Sequence, residues 1–265
     1  MKPAISEFTY GFALTSEILD SLGGKKNGVP IFPSLYEEGQ AGGGYDVKLP
    51  GIPTFIQFKL SDELTTSKAL DSAALGLPYF RFKIRGRKHS SQHDLLLDLE
   101  AKGKSVYYAA PRFRLPDSMN RAFIDQEMID RTAFIRPSTI GAFDPSDDGD
   151  HTLSFRATGS QAILHSVKKE LTLADFRTEL AEADLSTLPL DDFGEPTGFD
   201  VRELGDLLVE TYLSRTTGSD RDRGTRLRDT LRDIRPHSYV GFAASNLFGA
   251  EMIVVNPSNI EQPTP

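Results

Sequence analysis

Asp46, Gln57 and Lys59 combine residue types that together can hold a divalent cation and a water molecule. The Asp46 carboxylate and the Gln57 amide oxygen are hard oxygen ligands of the kind that Mg²⁺ takes, usually beside several waters. Lys59 follows Gln57 by two positions, so on an extended strand the two side chains share a face. The lysine ammonium could then orient a water or stabilise developing negative charge. These residues predict a site for Mg²⁺ or Mn²⁺.

Two short strands and a turn must position these three residues. Alternating apolar and polar residues predict strands over 45–49 and 54–60, and Pro50-Gly51-Ile52-Pro53 is typical of the turn between them. In a hairpin of this kind Ile56, Phe58 and Leu60 would face a core. The three candidate residues would then share the opposite side, as a common site requires.

The first 136 residues alternate between helical and strand patterns. The predicted helices cover 10–22, 62–75, 91–102 and 116–130, and the predicted strands cover 45–49, 54–60, 78–84, 105–110 and 132–135. This order, which begins α-β-β-α-β-α-β, indicates an α/β domain with a mixed sheet. For residues 137–265 we predict a mostly helical extension, with a strand at 151–156 and an acidic segment over 170–210.

A helix acid, a Gly-rich loop and an Asp followed by Gln-x-Lys together resemble the PD-(D/E)xK, or restriction-endonuclease-like, nuclease superfamily in a Q-x-K variant. The matching residues are Glu17 in YGFALTSEIL, Asp46 in GGGYDVKL and Gln57-Phe58-Lys59, and the resemblance covers about the first 110 residues. It implies an α-β-β-α-β core and Mg²⁺-dependent hydrolysis of phosphodiester bonds, with DNA as the expected substrate. Glu17, Asp46 and Gln57 would be metal ligands, and Lys59 would serve the attacking water.

The chain departs from that family pattern at two positions. Gln57 stands where an acid is usual, and Tyr45 stands where a proline usually precedes the first Asp. A catalytically inactive nuclease-fold module that binds nucleic acid or a protein partner is therefore the alternative. Without the family context, Asp46 and Lys59 would be interpreted as a cross-strand ion pair and Glu17 as a solvated helix acid.

A basic run from Arg81 to Lys88 contains five cationic residues and no acid. On a strand, Arg81, Lys83 and Arg85 alternate onto one face, where they would be either solvated charges or a surface that follows a phosphate backbone. The predicted nucleic-acid-binding residues are Arg81, Lys83, Arg85, Arg87, Lys88 and Gln92. His93, beside Gln92, is interpreted as a capping or solvated residue.

Composition limits the class of protein. The chain of 265 residues has no cysteine, which excludes disulfides, thiolate catalysis and Cys-ligated zinc. We predict no signal peptide, no membrane association and a cytoplasmic location. A formal net charge of −8 argues against coating of nucleic acid by bulk charge, although not against one local basic patch.

The extension suggests a protein partner or self-association, and the family analogy suggests a defence or repair system. A third possibility is a subunit that only assembles with other proteins and has neither metal binding nor nucleic-acid binding.

Overall fold

The structure, a computed structural model, describes residues 1–21, 52–86, 92–103, 105–144, 146, 149–182, 201–231, 243–248 and 251–255. The chain divides into two units. Unit 1 comprises Met1–Ile18, Gln57–His93 and Tyr107–Glu182, and unit 2 comprises Leu19–Ile56, Asp94–Val106 and Ala183–Pro265. Unit 1 therefore runs across the division that the sequence suggested between residues 136 and 137.

The helices are α1 (Glu7–Ser21), α2 (Ser72–Leu75), α3 (Gln92–Ala101), α4 (Pro116–Ile124), α5 (Pro137–Ile140), α6 (Phe176–Glu182), α7 (Val201–Arg215) and α8 (Gly218–Leu231), with a π-helical turn at Ala244–Phe248. The strands are β1 (Ile52–Phe58), β2 (Asp62–Leu64), β3 (Tyr79–Ile84), β4 (Ser105–Pro111), β5 (Thr132–Ile135), β6 (His151–Arg156), β7 (Gln161–Leu164), β8 (Lys169–Thr172) and β9 (Glu251–Val255). The predicted mixed α/β class is confirmed. Within the described ranges, no helix has the length and apolar character needed to cross a membrane.

Unit 1 contains a five-stranded sheet with the order β2-β3-β6-β7-β8, in which each neighbouring pair is antiparallel. Along β3, Phe80, Phe82 and Ile84 are buried, whereas Arg81 and Lys83 are more exposed. Phe80 stacks on Phe155 of β6, with ring centres 6.1 Å apart. This alternation leaves the basic residues of β3 on the outer face, as the sequence pattern predicts.

Strand β1, which carries Gln57, pairs with a strand near the other end of the described chain. In unit 2, β1 pairs with β9 in antiparallel register, from Ile52 opposite Val255 to Ile56 opposite Glu251. In unit 1, β4 pairs with β5, and the Lys59 amide, directly after β1, donates to the Ala109 carbonyl at 2.9 Å. The predicted partner strand over 45–49 lies outside the described residues.

Helix α1 packs against the end of β1 through a residue without a side chain. A Cβ on Gly11 would lie 3.0 Å from the Phe58 ring, tighter than an ordinary van der Waals contact, so a larger residue would require the ring to move. The helix begins after Ser6, whose Oγ accepts a hydrogen bond from the Thr9 amide at 3.0 Å, as an N-cap residue does. Deeper in the core, the Tyr10 hydroxyl bonds the Thr132 hydroxyl of β5 at 2.9 Å. These contacts place the first turns of α1 against the end of β1 and against β5.

Three expectations about the elements are wrong. The segment 62–75 is not one helix: Asp62–Leu64 forms β2, which pairs with β3, and only Ser72–Leu75 is helical before Gly76 at φ +72° ends it. Strand β3 belongs to the five-stranded sheet and not to the sheet of β1. For the region after residue 136 one strand is expected, at 151–156, whereas the described residues contain β7, β8 and β9 as well as β6.

Unit 2 is held together by polar contacts between its helices. Arg215 of α7 forms two hydrogen bonds with the Asp98 carboxylate of α3, at 2.6 and 2.7 Å, and Lys102 donates to the Thr211 hydroxyl. Helix α8 approaches α7 at Gly224, where a Cβ would lie 2.8 Å from a Leu213 methyl carbon. These contacts give α7 and α8 a structural role within the unit.

Candidate active site

Lys59 is held by backbone and side-chain contacts at the point where β1 ends. Its amide is bonded to Ala109 of β4, and its Nζ donates to Gln92 Oε1 at the start of α3, at 3.3 Å. The same ammonium lies 5.9 Å from the ring centre of Tyr108. The structure therefore brings Lys59 and Gln92 together within unit 1.

The Lys59 ammonium lies in a partly desolvated place. Desolvation lowers its pKa below the ordinary lysine value; the Glu7 carboxylate opposes this change and the Arg85 charge adds to it. Among the residues that the structure describes, no carboxylate lies within ion-pair distance of Nζ. A partly desolvated cation of this kind costs free energy in the folded state.

Gln57 presents a buried oxygen without a partner. The residue is 6% exposed, and its Nε2 donates to the carbonyl of Phe58 at 3.1 Å. Its Oε1 has no hydrogen-bond partner in the described part of the chain. The sequence places Gln57 on a polar surface, but Phe55 and Ile56 on opposite faces of the strand are both fully buried. The amide therefore points into the protein, where an unsatisfied oxygen is uncommon.

Glu17, the predicted helix acid, is committed to other contacts. Its carboxylate accepts hydrogen bonds from the amides of Met128 and Ile129, at 2.5 and 3.1 Å, and Arg177 pairs with it at 3.2 Å. The residue is 6% exposed. These contacts assign Glu17 to holding the segment before β5, so metal binding by Glu17 stays a prediction that they do not favour.

The acid of α1 whose charge reaches Lys59 is Glu7. Much of Glu7 faces solvent, yet desolvation at its carboxyl raises its pKa, and the Lys59 charge opposes that rise. Ten residues of α-helix separate Glu7 from Glu17, a distance of about 15 Å along the axis. The family pattern points to an acid in the middle of the helix, so it favours Glu17 and gives no reason to select Glu7.

The basic residues of β3 divide into paired and unpaired groups. Arg81 lies 3.7 Å from an Asp62 carboxylate oxygen, and Lys83 lies 3.7 Å from Asp150. Arg85 follows β3, is exposed, and acts on Lys59 through its charge. Of this surface, Arg85 is therefore the cation best placed to act together with Lys59.

Three predicted site residues, Asp46, Arg87 and Lys88, lie outside the described residues. Over the ranges that are described, no group of three or more His, Cys, Asp or Glu side chains is arranged to hold a metal ion. A ligand set that includes Asp46 therefore stays a prediction from sequence.

His93 is a buried residue and not a solvated cap. It is 3% exposed, and its Nε2 lies 2.8 Å from the Gly141 carbonyl, which can only accept, so Nε2 carries the proton. Its Nδ1 then accepts from the Tyr108 hydroxyl at 3.1 Å. Since Gln92 precedes it, His93 helps to fix the start of α3, and with it the oxygen that meets Lys59.

Comparison of the chain with protein-family models, with curated proteins and with solved structures finds no match in any of the three.

Proposed function

We propose that this protein hydrolyses phosphodiester bonds, with DNA as the substrate and Mg²⁺ or Mn²⁺ as the cofactor. The observation that carries the proposal is the pair formed by Gln57 Oε1 and Lys59. One is a buried oxygen without a described partner, and the other is a partly desolvated ammonium without a described carboxylate partner. They lie two residues apart in the sequence, at the end of β1, and the proposal is that one ligand uses both.

Gln57 Oε1 fits the role of a neutral ligand to a hard cation. Its oxygen is the type that Mg²⁺ takes, and Nε2 is already used by Phe58, which fixes the oxygen as the free end. When bound, a divalent ion would neutralise charge on the scissile phosphate and activate water. Asp46 would add the anionic ligand, and Glu7 is the described acid best placed to assist.

Lys59 would act on the phosphate or on the attacking water. The hydrogen bond to Gln92 Oε1 holds the ammonium in one direction and leaves two of its three N–H donors for other acceptors. A charge-assisted hydrogen bond to an oxygen that gains charge in the transition state is the interaction that accelerates such a step. Arg85 would contact a neighbouring phosphate of the strand.

The test is cleavage of plasmid and linear DNA by the purified protein with Mg²⁺ or Mn²⁺. We expect Lys59→Met and Asp46→Asn each to reduce the cleavage rate by about 100-fold or more, as loss of one transition-state contact typically does. Lys68→Met is the matched control, since Lys68 is exposed in the turn before α2 and should leave the rate unchanged. Cleavage that survives both site substitutions would show that these residues are not the site.

A second function, a nuclease-fold module that binds nucleic acid without cleaving it, is favoured by one observation. Glu17, the acid that the family pattern assigns to the metal, is satisfied by Met128, Ile129 and Arg177. With Gln57 in place of an acid, the site would then rely on Asp46 for its strongest ligand charge.

Metal affinity separates the two functions. Titration calorimetry with Mn²⁺ should give a saturable signal that Gln57→Met weakens if the protein is an enzyme. An absence of Mn²⁺ binding, together with DNA affinity that falls in Arg85→Gln, would instead support the non-catalytic module. DNA affinity is read by fluorescence anisotropy at one fixed salt concentration, because phosphate contacts depend steeply on salt.

A further inference from the structure

Unit 1 contains an open cleft of about 880 Å³ to which neither Gln57 nor Lys59 contributes. The turn between β6 and β7, the segment before α6 and the residues around the start of α4 form its walls. The volume lies in the range of sites for small organic ligands. Four arginines and four acids line it, so its chemistry depends on which charges are already paired.

Two of the arginines have carboxylate partners. Arg114 Nε lies 2.7 Å from Glu63, and Arg177 Nε lies 2.8 Å from Asp130. A third acid, Asp175, accepts hydrogen bonds from both the amide and the hydroxyl of Thr178. The charges of the two ion pairs are therefore compensated, whereas Asp175 keeps its negative charge although its oxygens have hydrogen-bond donors.

The other two arginines, Arg112 and Arg131, lie directly beside each other. The Arg112 amide donates to the Arg131 carbonyl at 2.8 Å, one step beyond Pro111 and Thr132, the pair that ends the β4–β5 ladder. Residues opposite each other on antiparallel strands have Cβ atoms about 5 Å apart and project to the same side. Neither guanidinium has a carboxylate partner among the residues that the structure describes.

Their existing contacts hold the two guanidinium groups without neutralising them. Arg112 donates to the carbonyls of Arg156 and Gly159, at 3.1 and 2.7 Å, while its buried Nε has no partner within the described chain. Arg131 lies over the Phe113 ring, 5.8 Å from its centre. Like charges directly across a strand pair destabilise the fold, and an anion shared between them removes that cost.

The start of α4 adds donors to the same cleft. Leu115 occupies the N-cap position and has no side-chain oxygen to accept from the first-turn amides. Ser118, on that first turn, lines the cleft, as does Ser160 after the β6–β7 turn. Amides at a helix start and nearby hydroxyl groups are suited to an oxyanion, which the positive end of the helix dipole also favours.

We propose that this cleft is a binding site for a small organic molecule that carries a phosphate or carboxylate group, with that group seated between Arg112 and Arg131. The site is independent of the proposed nuclease activity, because the two share no residue. The remaining acid, Glu127, is exposed and lines the same cleft, where its charge opposes the binding of an anion.

The experiment uses two probes, inorganic phosphate and citrate, each titrated calorimetrically into metal-free protein at constant ionic strength. We expect saturable binding of at least one probe, weakened by about tenfold or more in Arg131→Gln, since a charge-assisted hydrogen bond is lost. The probe that binds more tightly identifies the anion of the natural ligand.

Two further variants make the outcome decisive. Arg121→Gln removes the same charge from an exposed position on α4 that does not line the cleft, so binding should stay within about twofold. Glu127→Gln should tighten binding, which a partly unfolded protein could not do. The proposal is overturned if neither probe binds, if Arg131→Gln has no effect, or if Arg121→Gln weakens binding equally.

Discussion

Two buried polar centres of unit 1 lie beside the same helix and differ in how fully they are satisfied. At Glu17, two backbone amides and the Arg177 guanidinium meet one carboxylate. At Gln57, the amide oxygen has no described partner, and the nearby Lys59 ammonium has one neutral acceptor at 3.3 Å. Both Glu17 and Gln57 are 6% exposed, so burial does not explain the difference.

The difference separates structural from functional polar groups. A buried carboxylate with charge-assisted hydrogen bonds stabilises the segment that it contacts. A buried oxygen and ammonium that are left short of partners reduce stability, and such groups are retained where a ligand completes them. Glu17 is therefore where we expect mutation to affect folding, and Gln57 with Lys59 is where we expect it to affect binding.

The largest effect should come from Glu17→Ala. Removing the carboxylate leaves the amides of Met128 and Ile129 buried without an acceptor, at a cost of about 3 kcal/mol in the free energy of unfolding. Urea denaturation followed by circular dichroism measures this change. Glu170→Ala, at an exposed position on β8, should change stability by less than about 0.5 kcal/mol. Equal losses in the two variants would remove the basis of the comparison.

A smaller effect is expected in Gln57→Glu, and it is a gain in metal affinity instead of a loss of stability. The new carboxylate would be costly in the metal-free protein and would complete the acidic pattern of the resembled family. Mn²⁺ should then bind about tenfold more tightly than to the unchanged protein, which corresponds to about 1.4 kcal/mol. The thermal midpoint with and without Mn²⁺ measures the gain through the linkage of binding to stability. A variant that Mn²⁺ does not stabilise would contradict a metal site at this position.

Local patterns in the sequence are enough to predict several helices and strands of the fold. Strands β5 and β6 occupy the predicted residues 132–135 and 151–156, and α3 lies within the predicted 91–102. In each, apolar residues recur at the spacing of a buried face, which is information contained in the segment itself. The strand that carries Gln57 was found for the same reason.

The remaining features depend on contacts between distant parts of the chain. Pairing of β1 with β9 joins residues about 200 positions apart, and no local pattern reports it. Segment 62–75 has helical spacing, but pairing of Asp62–Leu64 with β3 overrides it. The same holds for Glu17, whose partners, Met128 and Ile129, are more than 110 positions away. The sequence predicts that an acid on α1 matters, but it does not show that Glu17 is satisfied by distant partners and that Glu7 is the acid near Lys59.

The smallest expected effect is a pH dependence of stability at Lys59. Because desolvation lowers the pKa of Lys59 in the folded state, the folded protein binds fewer protons than the unfolded chain between that pKa and the ordinary value of 10.5. Stability contributed by this residue therefore rises with pH across that window, and its cost is fully present below it. Lys59→Met should be more stable than the unchanged protein at neutral pH, by less than about 1 kcal/mol. Urea denaturation at a series of pH values should show this advantage shrinking as the pH approaches 10.5. A difference in the free energy of unfolding that stays constant across the series would mean that the ammonium is as well solvated in the folded protein as in the unfolded chain. Lys59 would then not be a desolvated cation that a ligand could neutralise.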